Sequence, residues 1–255
     1  MLFLDLGRIV KSMEIQIIYK DENIVAVNKP AGILVHKTAA AFGKNTRKEG
    51  ETVADWAIRR FPEIKSVGDI HTSGGSFIER SGIVHRLDRE TSGVIIIARN
   101  QGSFLDLKRQ FQNHEVRKTY LALVYGDVTK KGVIDKPIGL KPGTIKRSVT
   151  AKKMKMIKRA VTEYAPEKHF GIATLLNVWP KTGRTHQIRV HLSSIGHPIV
   201  GDILYGSKKQ VIEARRQFLH AESIEFTTLS GKRMKIEAEL PEDLKSILIT
   251  LENLK

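Results

Sequence analysis

The sequence predicts an α+β fold with a mixed, mostly antiparallel central sheet, flanking helices and loops. Three observations lead there. Strand-like segments dominate the 255 residues. Several are joined by links too short for a parallel crossover. No stretch repeats with the period of a solenoid. A hydrophobic fraction of 41% is enough for a sizeable core.

Taken in order, residues 15–19 and 24–28 read as paired strands around the turn Asp21-Glu22-Asn23. Lys29-Pro30-Ala31-Gly32 breaks the second strand, and the polar, charged segment 36–51 reads as a flexible loop. Thr52 can cap a helix running to about Phe61, with Val53, Trp56, Ala57 and Phe61 on one face. A Gly/Ser-rich loop spans 68–82, and the apolar run 94–97 reads as a buried strand. Phe104, Leu107 and Phe111 mark an amphipathic helix ending near His114, and 118–125 is a strand. Residues 161–179 return to strand composition. Residues 185–195 read as a helix with Ile188, Leu192 and Ile195 inward, stopped by Gly196. A hairpin around Ser230-Gly231-Lys232 joins 224–228 to 234–240, and Pro241 opens a final helix.

Lys and Arg number 43 against 27 Asp and Glu, a formal net charge of +16. That excess points to a polyanionic partner, with nucleic acid the first choice. It concentrates in 136–162, which holds nine Lys or Arg and no acidic residue. The chain has no cysteine, which excludes disulfides, thiolate catalysis and Cys-type zinc sites and suits a reducing cytosol. No long apolar run suggests a membrane span, and the short apolar N-terminus, carrying Asp5, does not make a signal peptide. A cytoplasmic location is expected.

The most informative stretch is Gly82-Ile83-Val84-His85-Arg86-Leu87-Asp88-Arg89-Glu90-Thr91-Ser92-Gly93. It sets one carboxylate, Asp88, between the guanidinium groups of Arg86 and Arg89. Nearby positive charge favours the charged form of an aspartate. That suits a nucleophile or an electrostatic stabiliser better than a proton donor. The Gly, Ser and Thr around it suggest a loop that a ligand's backbone can approach closely. The bland reading is a structural carboxylate in a loop salt bridge.

The run His85–Gly93 resembles the signature of the RluA-type RNA pseudouridine synthases. Three more blocks agree, in that family's order: residues 27–36, residues 118–126 around Tyr120, and residues 183–192, continued by Gly196-His197-Pro198-Ile199-Val200-Gly201-Asp202. The likeness runs from Ile15 onward. It implies a pseudouridine-synthase-like catalytic fold with a central active-site cleft, in which uridine in RNA is isomerised to pseudouridine without metal or organic cofactor. It further implies that Asp88 is the nucleophile, that Tyr120 lies against the target uracil and that Arg189 pairs with Asp88. Residues 1–13 are then a flexible leader and 14–255 the catalytic domain, with no separate N-terminal RNA-binding domain expected.

The residues fit that chemistry. A bidentate Arg189–carboxylate pair would orient Asp88 and hold its charge. Tyr120 alternates with Thr119 and Leu121 along its strand, so it can face a cleft while they pack beneath. Its ring can stack on an everted base, and its hydroxyl can help remove the carbon-5 proton. A uridine in folded RNA must be flipped out to reach a loop carboxylate. Arg86 is a candidate wedge or phosphate contact, whereas His85 is expected to pack locally. Arg184, His186 and Gln187 offer donors near a helix start. Lys118 and Ile188, inside the resembling blocks, are further expected substrate contacts. Lys152 and Lys153, with the rest of the basic stretch, are expected to grip RNA backbone outside the pocket.

Rival readings are weaker. His186 and His191 are five apart and do not form an i, i+4 metal pair. The kinase-like His85-Arg86-Leu87-Asp88 lacks a preceding Gly-rich nucleotide loop. A non-catalytic RNA-binding protein fits the charge equally well but leaves the set Asp88, Tyr120 and Arg189 without a purpose. Large-subunit ribosomal RNA is the expected target class, with transfer RNA second, and a monomer is the expected state.

Overall fold

The computed structural model describes residues 14–37, 50–69, 72–73, 76–77, 81–144, 146–150, 153–206 and 211–254. The expected leader, most of the loop expected at 36–51 and Lys152 lie outside these residues.

Strands β1 (Gln16–Lys20) and β2 (Ile24–Lys29) form the expected hairpin. Asp21 builds its turn, because Oδ1 accepts from the N–H groups of Asn23 (2.8 Å) and Ile24 (2.7 Å). Helix α1 (Val53–Arg60) starts at a reciprocal capping box. The Thr52 hydroxyl accepts from the Asp55 amide while the Asp55 carboxylate accepts from the Thr52 amide. Such a cap is worth about 1 kcal/mol. Where a plain loop was expected over 68–82, β3 (Thr72–Ser73) and β4 (Ser76–Phe77) make a short hairpin.

Strand β5 (Ser92–Ala98) is buried along its whole length. Its side chains alternate between two cores. Val94, Ile96 and Ala98 join Ile24 and Ala26 of β2 under α2 (Gln101–Gln112), through Phe104 and Leu107. Ile95 and Ile97 join Val25 and Val27 under α1, through Val53 and Ala57. A third core lies between β6 (Arg117–Tyr125) and later elements.

The basic stretch forms strands of its own. After β7 (Gly132–Asp135), the strands β8 (Ile138–Leu140), β9 (Arg147–Ser148) and β10 (Lys155–Lys158) form a separate small sheet in the order β10-β8-β9. The antiparallel pair β11 (Val161–His169) and β12 (Ala173–Pro180) follows, then helix α3 (Gln187–Ser194). Strand β13 (Leu219–Thr227), β14 (Arg233–Glu237) and helix α4 (Glu242–Glu252) complete the chain.

Among the described residues the main sheet has nine strands, ordered β1-β2-β5-β13-β6-β12-β11-β7, with β14 paired to the far end of β13. Among the described residues every ladder in it is antiparallel except β5–β13. That parallel join is short, pairing His220 with Ser92 and Ala221 with Gly93. Gly93 makes it possible. Its φ is +121°, and a Cβ there would lie 2.2 Å from the Ala221 carbonyl oxygen. The close approach expected near this glycine is therefore made by a neighbouring strand, not by a ligand. The join matters for function because the Asp88 turn enters β5 directly, and Tyr120 sits opposite Ala221 on the other side of β13. Tyr120 packs against both the α1 core and the β6 core, at the seam between them.

Candidate active site

At that seam the fold leaves a cleft of about 540 Å³. Its walls are the 84–91 turn, the last turn of α2, the start of β6 and the segment 180–189. Asp88, Arg86, Lys118, Tyr120, Arg184, His186, Gln187, Ile188 and Arg189 all line it. Three of the four resembling blocks, 85–93, 118–126 and 183–192, thus meet at one hollow.

The Asp88 turn is fastened from both sides. Lys29 is fully buried and directs its ammonium at the carbonyls of Pro30 (2.8 Å), Ile33 (2.9 Å) and Arg89 (3.0 Å). Burial pulls its pKa down to about 7. Arg89 does not flank Asp88 as expected; its Nε donates to the Gly32 carbonyl. Arg86 is solvent-exposed at the rim. On the far side Arg216 donates to the Glu90 carbonyl (3.0 Å) and the Ser92 hydroxyl (3.2 Å), and Gln217 donates to the Thr91 hydroxyl. His85 packs locally, as expected. Its ring stacks on Phe111, and its Nε2 accepts the Ile96 N–H at 2.9 Å. Burial, with a smaller push from Lys118, lowers its pKa to about 3, so the ring stays neutral and keeps that acceptor.

The cation that meets Asp88 comes from α3. Arg189 Nη1 donates to Asp88 Oδ2 at 3.0 Å. The pairing differs from the expected one in geometry. The bidentate edge of the guanidinium goes to Asp202, with Nε to Oδ2 at 2.7 Å and Nη2 to Oδ1 at 3.0 Å. Asp202 Oδ1 also accepts the amides of Leu204 and Tyr205, and the side chain is fully buried. Burial alone would raise the Asp202 pKa; Arg189 and the two amides reverse this and hold it below the usual carboxylate range. Arg189 also lies 5.2 Å from the Tyr205 ring centre. Asp202 was visible in the sequence only as the end of the block 196–202, with no role attached.

Helix α3 begins two residues later than expected. His186 sits at its N-cap with φ +56°, a left-handed conformation uncommon outside glycine. The turn before it is tied by Gln187, whose Oε1 accepts from the Thr182 hydroxyl and the Arg184 amide. The Nε2 of Gln187 donates to Val161 O and the Thr162 hydroxyl. Gln187 was expected to donate to RNA, but its amide is wholly engaged in holding this turn. His186 Nδ1 shares a hydrogen bond with the Tyr205 hydroxyl, and Nε2 lies 4.0 Å from Asp88 Oδ2. His191 points elsewhere, between Thr162 and the Lys136 carbonyl, so the two histidines do not face one site.

Tyr120 is half-buried in the wall. Burial raises its pKa, and the negative charge of Asp88 raises it further. The phenol is thereby held neutral, a hydrogen-bond donor rather than a ready base. Ile188 is buried between the cleft and the β6 core. Lys153 is exposed in the turn before β10, outside the cleft, and Lys152 lies outside the described residues.

A family model described as RNA pseudouridylate synthase matches residues 23–194. The chain belongs to that family. Asp88, Tyr120 and Arg189 fall inside the match, and Asp202 falls beyond it. The pseudouridine synthase relatives include ribosomal large subunit pseudouridine synthase D of Nitrosomonas europaea, 36% identical over 252 residues, spanning 96% of this chain and 67% of that one. The protein of the same name from Pseudomonas aeruginosa is 35% identical over 259 residues, spanning 95% and 73%. The solved structure of human RNA pseudouridylate synthase domain containing 4 covers 93% of both chains with a TM-score of 0.71 at 22% identity, and so shares the fold. This pseudouridine synthase is an isomerase acting on RNA.

Proposed function

We propose that the protein converts uridine to pseudouridine in large-subunit ribosomal RNA, with Asp88 as the nucleophile acting on an everted nucleotide. The single observation that carries the mechanism is the Asp88–Arg189 contact of 3.0 Å in the wall of a cleft that also holds Tyr120. Asp88 Oδ2 is fixed by one N–H, and among the described residues Oδ1 carries no hydrogen bond. One carboxylate oxygen is therefore positioned and the other is free to react. The ring of Tyr120 gives the uracil a face to lie on, worth roughly 1–3 kcal/mol for a stacked base. Drawing the base out of its helix costs a few kcal/mol, which contacts in the cleft must offset. The bond from ribose carbon 1′ to ring nitrogen 1 breaks, the base turns, and carbon 5 takes its place. The carbon-5 proton leaves and nitrogen 1 ends protonated, so the reaction needs no outside reactant. The names of the relatives support the ribosomal target.

Pseudouridine mapping of total RNA from cells with and without the gene tests this reading. The expected result is the loss of one or more sites in large-subunit ribosomal RNA and none in transfer RNA. Loss confined to transfer RNA, or no loss at all, would overturn the assigned substrate.

A further inference from the structure

We propose that Lys118 holds a backbone phosphate of the everted nucleotide, making its part of the cleft wall a phosphate subsite beside the base. The proposal rests on the RNA reading above and adds the place where the reacting strand is gripped.

Among the described residues, the other cations that line the cleft are paired, hydrogen-bonded or solvent-exposed. Arg189 serves Asp202 and Asp88. Lys108 is paired with Asp69 at 2.6 Å. Arg184 Nε donates to the Arg159 carbonyl at 3.0 Å. Arg86 is solvent-exposed and keeps its water. Lys118 is half-buried in the wall, and among the described residues its ammonium has neither a hydrogen bond nor an ion pair. A partly desolvated cation without a counter-charge is costly to keep. Its environment makes this worse, since burial and then the positive charge of Lys181 lower its pKa to about 8. Lys181 itself is paired with Glu163 at 2.8 Å. The RNA substrate brings anions of one kind only, its phosphates.

The geometry fits a phosphate of the reacting nucleotide. Residues 118 and 120 project from the same face of β6, roughly 7 Å apart. A base lying on Tyr120 with its ribose at Asp88 carries its phosphates past a side chain one strand step away. An ammonium suits this task as a compact point charge that does not need a fixed donor geometry.

The test measures binding of a labelled single-stranded RNA containing one uridine, by fluorescence anisotropy. The same RNA is prepared with a neutral methylphosphonate linkage on the 5′ or the 3′ side of that uridine. Wild-type protein should lose affinity by about tenfold or more for one of the two modified RNAs, as expected for a charge-assisted hydrogen bond. Lys118→Met should lose a similar factor on the unmodified RNA and be indifferent to that same modification, while Lys118→Arg should retain most of the affinity. The proposal is overturned if Lys118→Met binds the unmodified RNA as well as wild type. It is equally overturned if the modification costs variant and wild type the same. Should the Met variant fail to fold, indifference of the wild type to both modifications overturns it. Turnover is not part of this readout, so a wrong reaction assignment and a wrong phosphate assignment give different results.

Discussion

Arg189 carries two carboxylates on one guanidinium, Asp202 on its Nε–Nη2 edge and Asp88 on Nη1. With Asp202 ionised, the arginine charge is already balanced before Asp88 is counted. A bidentate pair with Asp88 would occupy both of its oxygens, whereas the observed arrangement leaves one free. Removing Arg189 alone strands Asp202, which has no exposed surface. Breaking a buried pair from one side typically costs about 3–5 kcal/mol. Arg189→Met is therefore expected to lower the unfolding free energy by about that amount, and Arg189→Met with Asp202→Leu to restore most of it, while neither variant regains turnover. Denaturant unfolding alongside single-turnover assays reads both. A double variant that recovers activity together with stability would show that Arg189 has no positioning role.

At the scale of elements, the hairpins β1–β2 and β13–β14 and the helices α1, α2 and α4 were legible because local chemistry fixes them. Asp21 makes the first turn, Thr52 and Asp55 cap α1, and Asn100 caps α2. The start of α3 was not legible, since it depends on Gln187 tying a turn to β11 and on a left-handed His186. The first five residues of β13 were missed for a different reason. His220 and Ser223 break the apolar pattern, yet both are buried, with His220 bridging the Ser92 hydroxyl and the Ala238 carbonyl. The basic stretch read as a charge run because its short strands pair with one another and carry little periodicity. Strand β10 leaves all four residues, Lys155, Met156, Ile157 and Lys158, exposed. If this sheet grips RNA, replacing Lys155 and Lys158 by Gln should lower the slope of log affinity against log salt by about two. The measurement is RNA affinity from about 50 to 200 mM salt, and an unchanged slope would remove β10 from the interface.

For the molecule as a whole, the pieces of the site are held together by contacts far apart in sequence. Asp88 and Arg189 are 101 positions apart, and Lys29 fastens a turn 60 positions away. The meeting of Asp88 with Arg189 was implied by resemblance, because the blocks that carry them were recognisable, but it could not be derived from spacing. What resemblance did not supply was the partner behind the arginine, Asp202, or the way Arg216 reaches from just before β13 to the Asp88 turn while pairing with Asp243 of α4. The net charge of +16 accounts for attraction to a polyanion, and the cleft between the Asp88 turn, β6 and the segment 180–189 is the place proposed for the reaction. The measurement that separates these two most directly is made on Asp88→Ala with a large-subunit ribosomal RNA substrate, following pseudouridine formation and RNA binding in parallel. The expected result is loss of all pseudouridine formation with affinity kept within about tenfold, since the phosphate contacts that dominate binding remain. Turnover by Asp88→Ala at the wild-type rate would contradict the account.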